Sequence, residues 1–180
     1  MKNRFIPFLV FFCIGFLQNL NAQCTPPAAD DCADASVLCS LAEVNGYCCS
    51  NVDYSNPTGC SPLCPNGGAP HNTGWWAFVT EGGSVTISIT FSNCSVNGTG
   101  VQMGIWGDCS CSESIVCNPA CNGPGSYSLS GSLAACKTYY LFVDGCSGDV
   151  CDFCLTTSGG TVSYTHLKQS LSKVAVIFLA

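Results

Sequence analysis

"SVTISITF", residues 84–91, decides the fold class. Val85, Ile87, Ile89 and Phe91 alternate with Ser84, Thr86, Ser88 and Thr90. A period of two puts the apolar side chains on one face and the hydroxyls on the other, the signature of a half-buried antiparallel strand. Reading outward, further strand candidates are "SVLCSL" (36–41), "WWAFVT" (75–80), "VQMGIW" (101–106), "SYSLSGSL" (126–133), "TYYLFVD" (138–144) and "CDFCLTT" (151–157). No segment carries helical periodicity. Short strands separated by Gly, Asn and Ser turns predict an all-β fold, a disulfide-rich antiparallel β-sandwich or jelly roll. "TPPAAD" after Cys24 reads as a linker, and "NPTGCSPLCPNGGAPHNTG" (56–74) as a long loop pinned by Cys60 and Cys64.

The first residues set the compartment. Lys2 and Arg4 precede the apolar run "FLVFFCIGFL" (8–17), followed by polar "QNLNAQ". This has the layout of a signal peptide spanning 1–22, and the run is about half of the ~20 residues a membrane-spanning helix needs. The chain is therefore expected outside the cell, secreted or at the surface, with no membrane insertion of the mature part. Removing 1–22 takes Cys13 with it and reduces 17 cysteines to an even set of 16. These are Cys24, Cys32, Cys39, Cys48, Cys49, Cys60, Cys64, Cys94, Cys109, Cys111, Cys117, Cys121, Cys136, Cys146, Cys151 and Cys154. At this density in an exported chain all sixteen are expected in disulfides.

Between residues 23 and 160 a single base, Lys137, faces all eleven Asp and Glu, a net charge of −10. Such a surface repels phosphate backbones and anionic lipid, which sets nucleic acid aside as a partner. The end of the chain, 161–180, changes texture: it has no cysteine, two lysines and an apolar finish. Back-translated, Thr161 to Leu167 resembles the end of an adapter used in sequencing libraries. The tail is read as non-native, the domain as 23–160, and the natural protein is expected to continue past Gly160.

The pieces "DCADASVLC", "NTGWWAFV", "SVTISITFSNC", "GVQMGIWGDCSC" and "YYLFVDGCSGDVCDFCL" together resemble a cysteine-rich module of large secreted surface proteins of Bacteroidota. In those proteins it often stands beside PKD domains and a type IX secretion sorting domain. The chain is also similar to the bacterial pre-peptidase C-terminal domain. That resemblance implies a jelly-roll sandwich that accompanies secreted proteases without performing catalysis.

The residues themselves offer little for catalysis. His71 lies in the long loop and His166 in the tail, which leaves one histidine for any triad or zinc-water mechanism. Glu43, Glu81 and Glu113 sit in turn-like sequence. The C-x-x-C of Cys151 and Cys154, the C-x-C of Cys109 and Cys111, and the C-x3-C spacings beginning at Cys60 and Cys117 imitate zinc ligands. The exported context favours cystines instead. On an extended strand, residues three apart are ~10 Å apart, beyond the ~7 Å limit between bridged α-carbons, so Cys151 and Cys154 must reach different partners. Adjacent Cys48 and Cys49 point to opposite faces and tie two neighbours to one strand.

"YYLFVDGCSGDVCDFC" reads as a β-hairpin with Gly145 and Gly148 in its turn. Asp144, Asp149 and Asp152 are then candidate calcium ligands, although such side chains more commonly cap their own turns. Trp75 and Trp76 face opposite sides of a strand. With Trp76 and Phe78 inward, Trp75 is either an outer-face aromatic able to stack on a sugar or protein, or is buried under the 56–74 loop. The expected function is a non-catalytic extracellular binding or spacer module of an adhesin-like protein, taking a glycan or protein partner through Trp75 and the Asp144–Asp152 corner. The alternative is an accessory domain of a secreted protease or glycoside hydrolase.

Overall fold

The computed structural model describes residues 24, 27–55, 59–121 and 123–159; the expected signal segment and tail lie outside them. Nine strands form among the described residues: β1 (Val37–Leu38), β2 (Cys48–Ser50), β3 (Thr73–Thr80), β4 (Gly83–Ser92), β5 (Val101–Trp106), β6 (Ser114–Asn118), β7 (Gly125–Leu133), β8 (Lys137–Gly145) and β9 (Asp152–Gly159). They assemble into a five-stranded sheet, β1-β3-β8-β5-β6, and a four-stranded sheet, β2-β9-β4-β7. Only β1 and β3 run parallel; every other pairing is antiparallel. The helical content among the described residues is three short 3-10 turns, at Cys32–Asp34, Leu41–Val44 and Cys146–Gly148. None of it is long and apolar enough to cross a membrane.

The two sheets differ in what covers them, and the sequence pattern follows. In β4, Val85, Ile87, Ile89 and Phe91 are buried between the sheets, each such side chain contributing roughly 1.5–3 kcal/mol by leaving water. Their hydroxyl neighbours face out and pair across the strand boundary, Thr86 with Ser130 at 2.8 Å and Ser88 with Ser128 at 2.7 Å. In the five-stranded sheet, β5 is buried at every position because both faces are covered. A strand of that kind needs a continuous apolar run rather than alternation. The inner face carries Trp76, Phe78, Met103, Ile105, Leu141 and Val143 against the other sheet. The outer face carries Trp75, Trp106 and Phe142 under the loops that hold Cys32, Cys60, Leu63 and Cys64.

Among the described residues seven disulfides close the structure: Cys24–Cys49, Cys32–Cys109, Cys48–Cys154, Cys60–Cys111, Cys64–Cys117, Cys94–Cys151 and Cys121–Cys146. Cys151 and Cys154 do take different partners, and Cys48 and Cys49 do tie β2 to two neighbours. The expectation that all sixteen pair is corrected, because Cys39 and Cys136 are unpaired and exposed. Cys39 follows β1 on one side of β3, and the amide of Cys136 donates to the Thr80 carbonyl on the other side. Two strand spacings, ~9.6 Å, separate their backbones, more than the ~7 Å a cystine spans.

The hairpin read from "YYLFVDGCSGDVCDFC" is also corrected. β8 pairs with β3 and β5, whereas β9 pairs with β2 and β4. The segment is a corner where the chain changes sheets, driven by Phe153 and Leu155, which must face the same core as Leu141 and Val143 from the opposite side. Gly145 is required there for space: a Cβ would stand 1.9 Å from the Asp149 carbonyl oxygen. Nor is "TPPAAD" a free linker, since Ala29 exchanges backbone hydrogen bonds with Trp75.

Candidate functional site

The structure buries Trp75 completely, at 0% exposure, with its ring 5.3 Å from Phe142 in the outer-face cluster. Of the two readings of this residue, burial under the 56–74 loop holds. The outward stacking platform is withdrawn, because the cystine-held loop covers the only face on which a sugar could lie.

The three corner aspartates have three separate sets of partners. Asp144 is fully buried and accepts from the His71 amide at 2.8 Å, the Thr73 hydroxyl at 2.6 Å and the Gln102 side-chain amide at 2.5 Å. Gln102 also donates to the Ala69 carbonyl, so Asp144 anchors the end of the long loop to β5 and β8. Burial pushes its carboxyl above the usual range, and these three donors only partly oppose the shift.

Asp149 is buried too, but it gathers backbone amides: Val96, Asn97 and Val150 on one oxygen and Gly100 on the other, at 2.8–3.1 Å. Burial raises its carboxyl, and the amides of Gly100, Asn97, Val96 and Gly98 outweigh that and hold it below the ordinary value. Asp152 stays exposed and accepts from the Asn93 side chain.

A carboxylate surrounded by N–H donors presents positive hydrogens toward its lone pairs, which is the reverse of a cation cage. The calcium reading for Asp144 and Asp149 therefore loses its basis, and Asp152, with the single Asn93 donor, is left as one carboxylate where calcium takes six to eight oxygens. Ligand atoms of Cys94, Asp149 and Cys151 do lie within 4.8 Å of one another. The two sulfurs are bonded together, however, and offer no thiolate. Asp149 serves as a cap, as the sequence reading favoured, although it caps mainly the 96–100 loop rather than its own turn.

A concave, acidic and aromatic surface forms elsewhere. Between a bank formed by Cys24 and Pro27 to Asp30 and the stretch from Tyr47 to Tyr54 runs a groove of ≈ 950 Å³. By comparison, the hollows beside β9 and beside Trp106 measure ≈ 370 and ≈ 320 Å³. The Cys24–Cys49 disulfide ties its two banks together. Asp30 and Asp53 supply carboxylates, and Val52, 59% exposed, an apolar lip. The Tyr47 and Tyr54 hydroxyls stand 3.5 Å apart. The Tyr54 phenol is pushed far up by burial, then by its Tyr47 neighbour, with the negative charges of Asp30 and Asp53 adding to the effect.

The Tyr47 and Tyr54 rings pack edge-on against Trp76 at 5.3 and 6.4 Å, so both brace the groove from the core. Asp30 also accepts from the Ser55 amide at 3.0 Å, fixing one bank to the other. No local motif marks these residues, because they meet only when the N-terminal segment crosses β3 and β2 joins β9. The doubled cysteine at 48–49, which demanded two neighbours, was the one pointer to this place.

Neither the known protein families nor the curated proteins include a match to this chain.

Proposed function

We propose that the chain is a non-catalytic extracellular binding module of a secreted or cell-surface adhesin-like protein, and that the Tyr47–Tyr54 groove is its binding surface. One observation carries the reading: a groove with two carboxylates and, among the described residues, no basic lining residue, on a frame cross-linked through Cys24–Cys49 and Cys48–Cys154. A rigid anionic groove attracts a cationic segment from a distance and spends little ordering entropy when it binds. Because the tyrosine rings are packed against Trp76 rather than laid open for stacking, a basic protein segment suits the groove better than a glycan.

The test is a titration with an extended oligolysine peptide beside a glycan array, comparing the parent with Asp30→Asn/Asp53→Asn and with Asp108→Asn, a half-buried acid outside the groove. Salt-sensitive peptide binding that falls at least tenfold in the groove variant alone is expected. Equal losses in both variants, or no peptide binding by the parent, would remove the groove from the proposal.

A further inference from the structure

Cys48 and Cys49 are adjacent in sequence, and each is bonded to one end of the described domain. Cys49 joins Cys24, and Cys48 joins Cys154 in β9. A covalent path therefore runs from Cys24 through one disulfide to Cys49, across a single peptide bond to Cys48, through a second disulfide to Cys154, and out along β9 to Gly159. Every other strand hangs on this path as a closed side loop. The part of the path that is ordinary chain, Cys154 to Gly159, lies in β9, so it is already extended at ~3.3 Å per residue.

We infer that the domain is a mechanically inextensible link: tension applied between its two ends is carried by the Cys24–Cys49/Cys48–Cys154 pair and β9, and the core is never pulled out. An ordinary β-sandwich under tension surrenders its whole length once a strand peels away. In this chain the residues between Cys24 and Gly159 would yield on the order of 450 Å at 3.3–3.6 Å per residue if no cystine held them. With the path intact, the ends can separate no further than its covalent length, on the order of 30 Å. For a module that spaces or holds partners outside a cell, load then acts on the tether while the Tyr47–Tyr54 groove keeps its shape. The inference stands on connectivity alone, so failure of the groove to bind any ligand leaves it intact.

The arrangement is specific to this pair of cystines. If Cys48–Cys154 is removed, the shortest remaining covalent route goes through Cys32–Cys109 and Cys94–Cys151. Its ordinary chain runs from 24 to 32, 94 to 109 and 151 to 159, about 31 residues, or on the order of 100 Å when stretched. The other five disulfides thus limit extension without preventing it.

Single-molecule force spectroscopy of the oxidised full chain, held by its two termini, reads this directly. Between Cys24 and Gly159 the expected trace shows no unfolding step above about 20 Å up to forces that rupture ordinary sandwiches. Cys48→Ser/Cys154→Ser should restore a step on the order of 100 Å, and full reduction of the parent one on the order of 450 Å. A step of 100 Å or more in the oxidised parent overturns the inference. The reduced parent provides the extensible reference even if the double variant does not fold. Peptide mapping that places the partners of Cys24 and Cys154 anywhere but on Cys48 and Cys49 overturns it as well.

Discussion

The two faces of the five-stranded sheet solve the same problem by different means. The inner face is buried by another sheet, strand against strand, with Trp76, Phe78, Leu141 and Val143 meeting Ile87, Ile89 and Leu155. The outer face is buried by coil. Trp75, Trp106 and Phe142 are covered by loops of little regular structure, and three disulfides, Cys32–Cys109, Cys60–Cys111 and Cys64–Cys117, join those loops to one another or to β6. Ordered strands satisfy their own backbone polar groups, so apolar contact is enough to hold them. A loop has few such bonds and much conformational freedom to lose, and cross-links reduce that freedom in the unfolded chain.

The comparison breaks most readily on the inner face. Trp76→Ala should cost about 3–5 kcal/mol, since a fully buried aromatic leaves a cavity that two sheets cannot close. Chemical denaturation of the oxidised protein measures it, and a loss below about 1 kcal/mol would mean the cystines, not the core, carry the inner face too. Next in size is the outer face. Cys64→Ser/Cys117→Ser should cost about 2–4 kcal/mol, with Trp75 and Trp106 fluorescence moving toward that of exposed indole at denaturant levels where the inner core persists. A single coincident transition for all probes would show the two faces to be one cooperative unit.

The smallest effect separates the two buried aspartates. Asp149, held below its ordinary value, contributes stability that is complete above the unfolded carboxylate pKa and is lost as pH falls through the folded value. Asp144, held above its ordinary value, works in reverse: ionising it costs stability as pH rises from the unfolded toward the folded value. Asp149→Asn should therefore cost about 1.5–3 kcal/mol at pH 7, because charge-assisted bonds to four amides are weakened. Asp144→Asn should cost less, about 1 kcal/mol, because the Gln102 carbonyl oxygen, which has no hydrogen-bond partner, can accept from the new amide after a flip that gives up the bond to the Ala69 carbonyl. Stability curves between pH 3 and 8 that moved in the same direction for both variants would contradict this assignment.

Much of the strand pattern was legible because one-sided burial writes a period of two into the sequence. β4 announced itself through Val85, Ile87, Ile89 and Phe91, and "VQMGIW" became β5 residue for residue. β2 was not legible, since three residues, Cys48–Ser50, carry no period. Nor was β6, whose five residues are all half-buried. "SVLCSL" shrank to Val37–Leu38 because the chain turns at Ser40, where Glu43 accepts the amides of Cys39 and Ser40.

The corner was misread for a related reason. Gly145 and Gly148 mark a turn equally well whether the chain folds back in its own sheet or crosses to the other. Only the partners of β9, distant in sequence, distinguish the two. The groove was hidden for the same cause, its carboxylates and phenols coming from segments that no local pattern relates.

The hydroxyl pairs on the outer face of the four-stranded sheet bear on colloidal behaviour. Thr86 with Ser130 and Ser88 with Ser128 make the centre of that face polar and uncharged, with Asp152 at one end of β9 the one charge its strands carry, so charge repulsion does not protect the centre locally. Stacking one sheet on another into a dry zipper requires that its hydroxyls shed water in exchange for little, because they already bond to each other across the strands. A long, flat β-surface on a crowded molecule is thereby kept wet, and concentrated solutions of the domain are protected from fibre growth by the same serines and threonines that made its first strand readable.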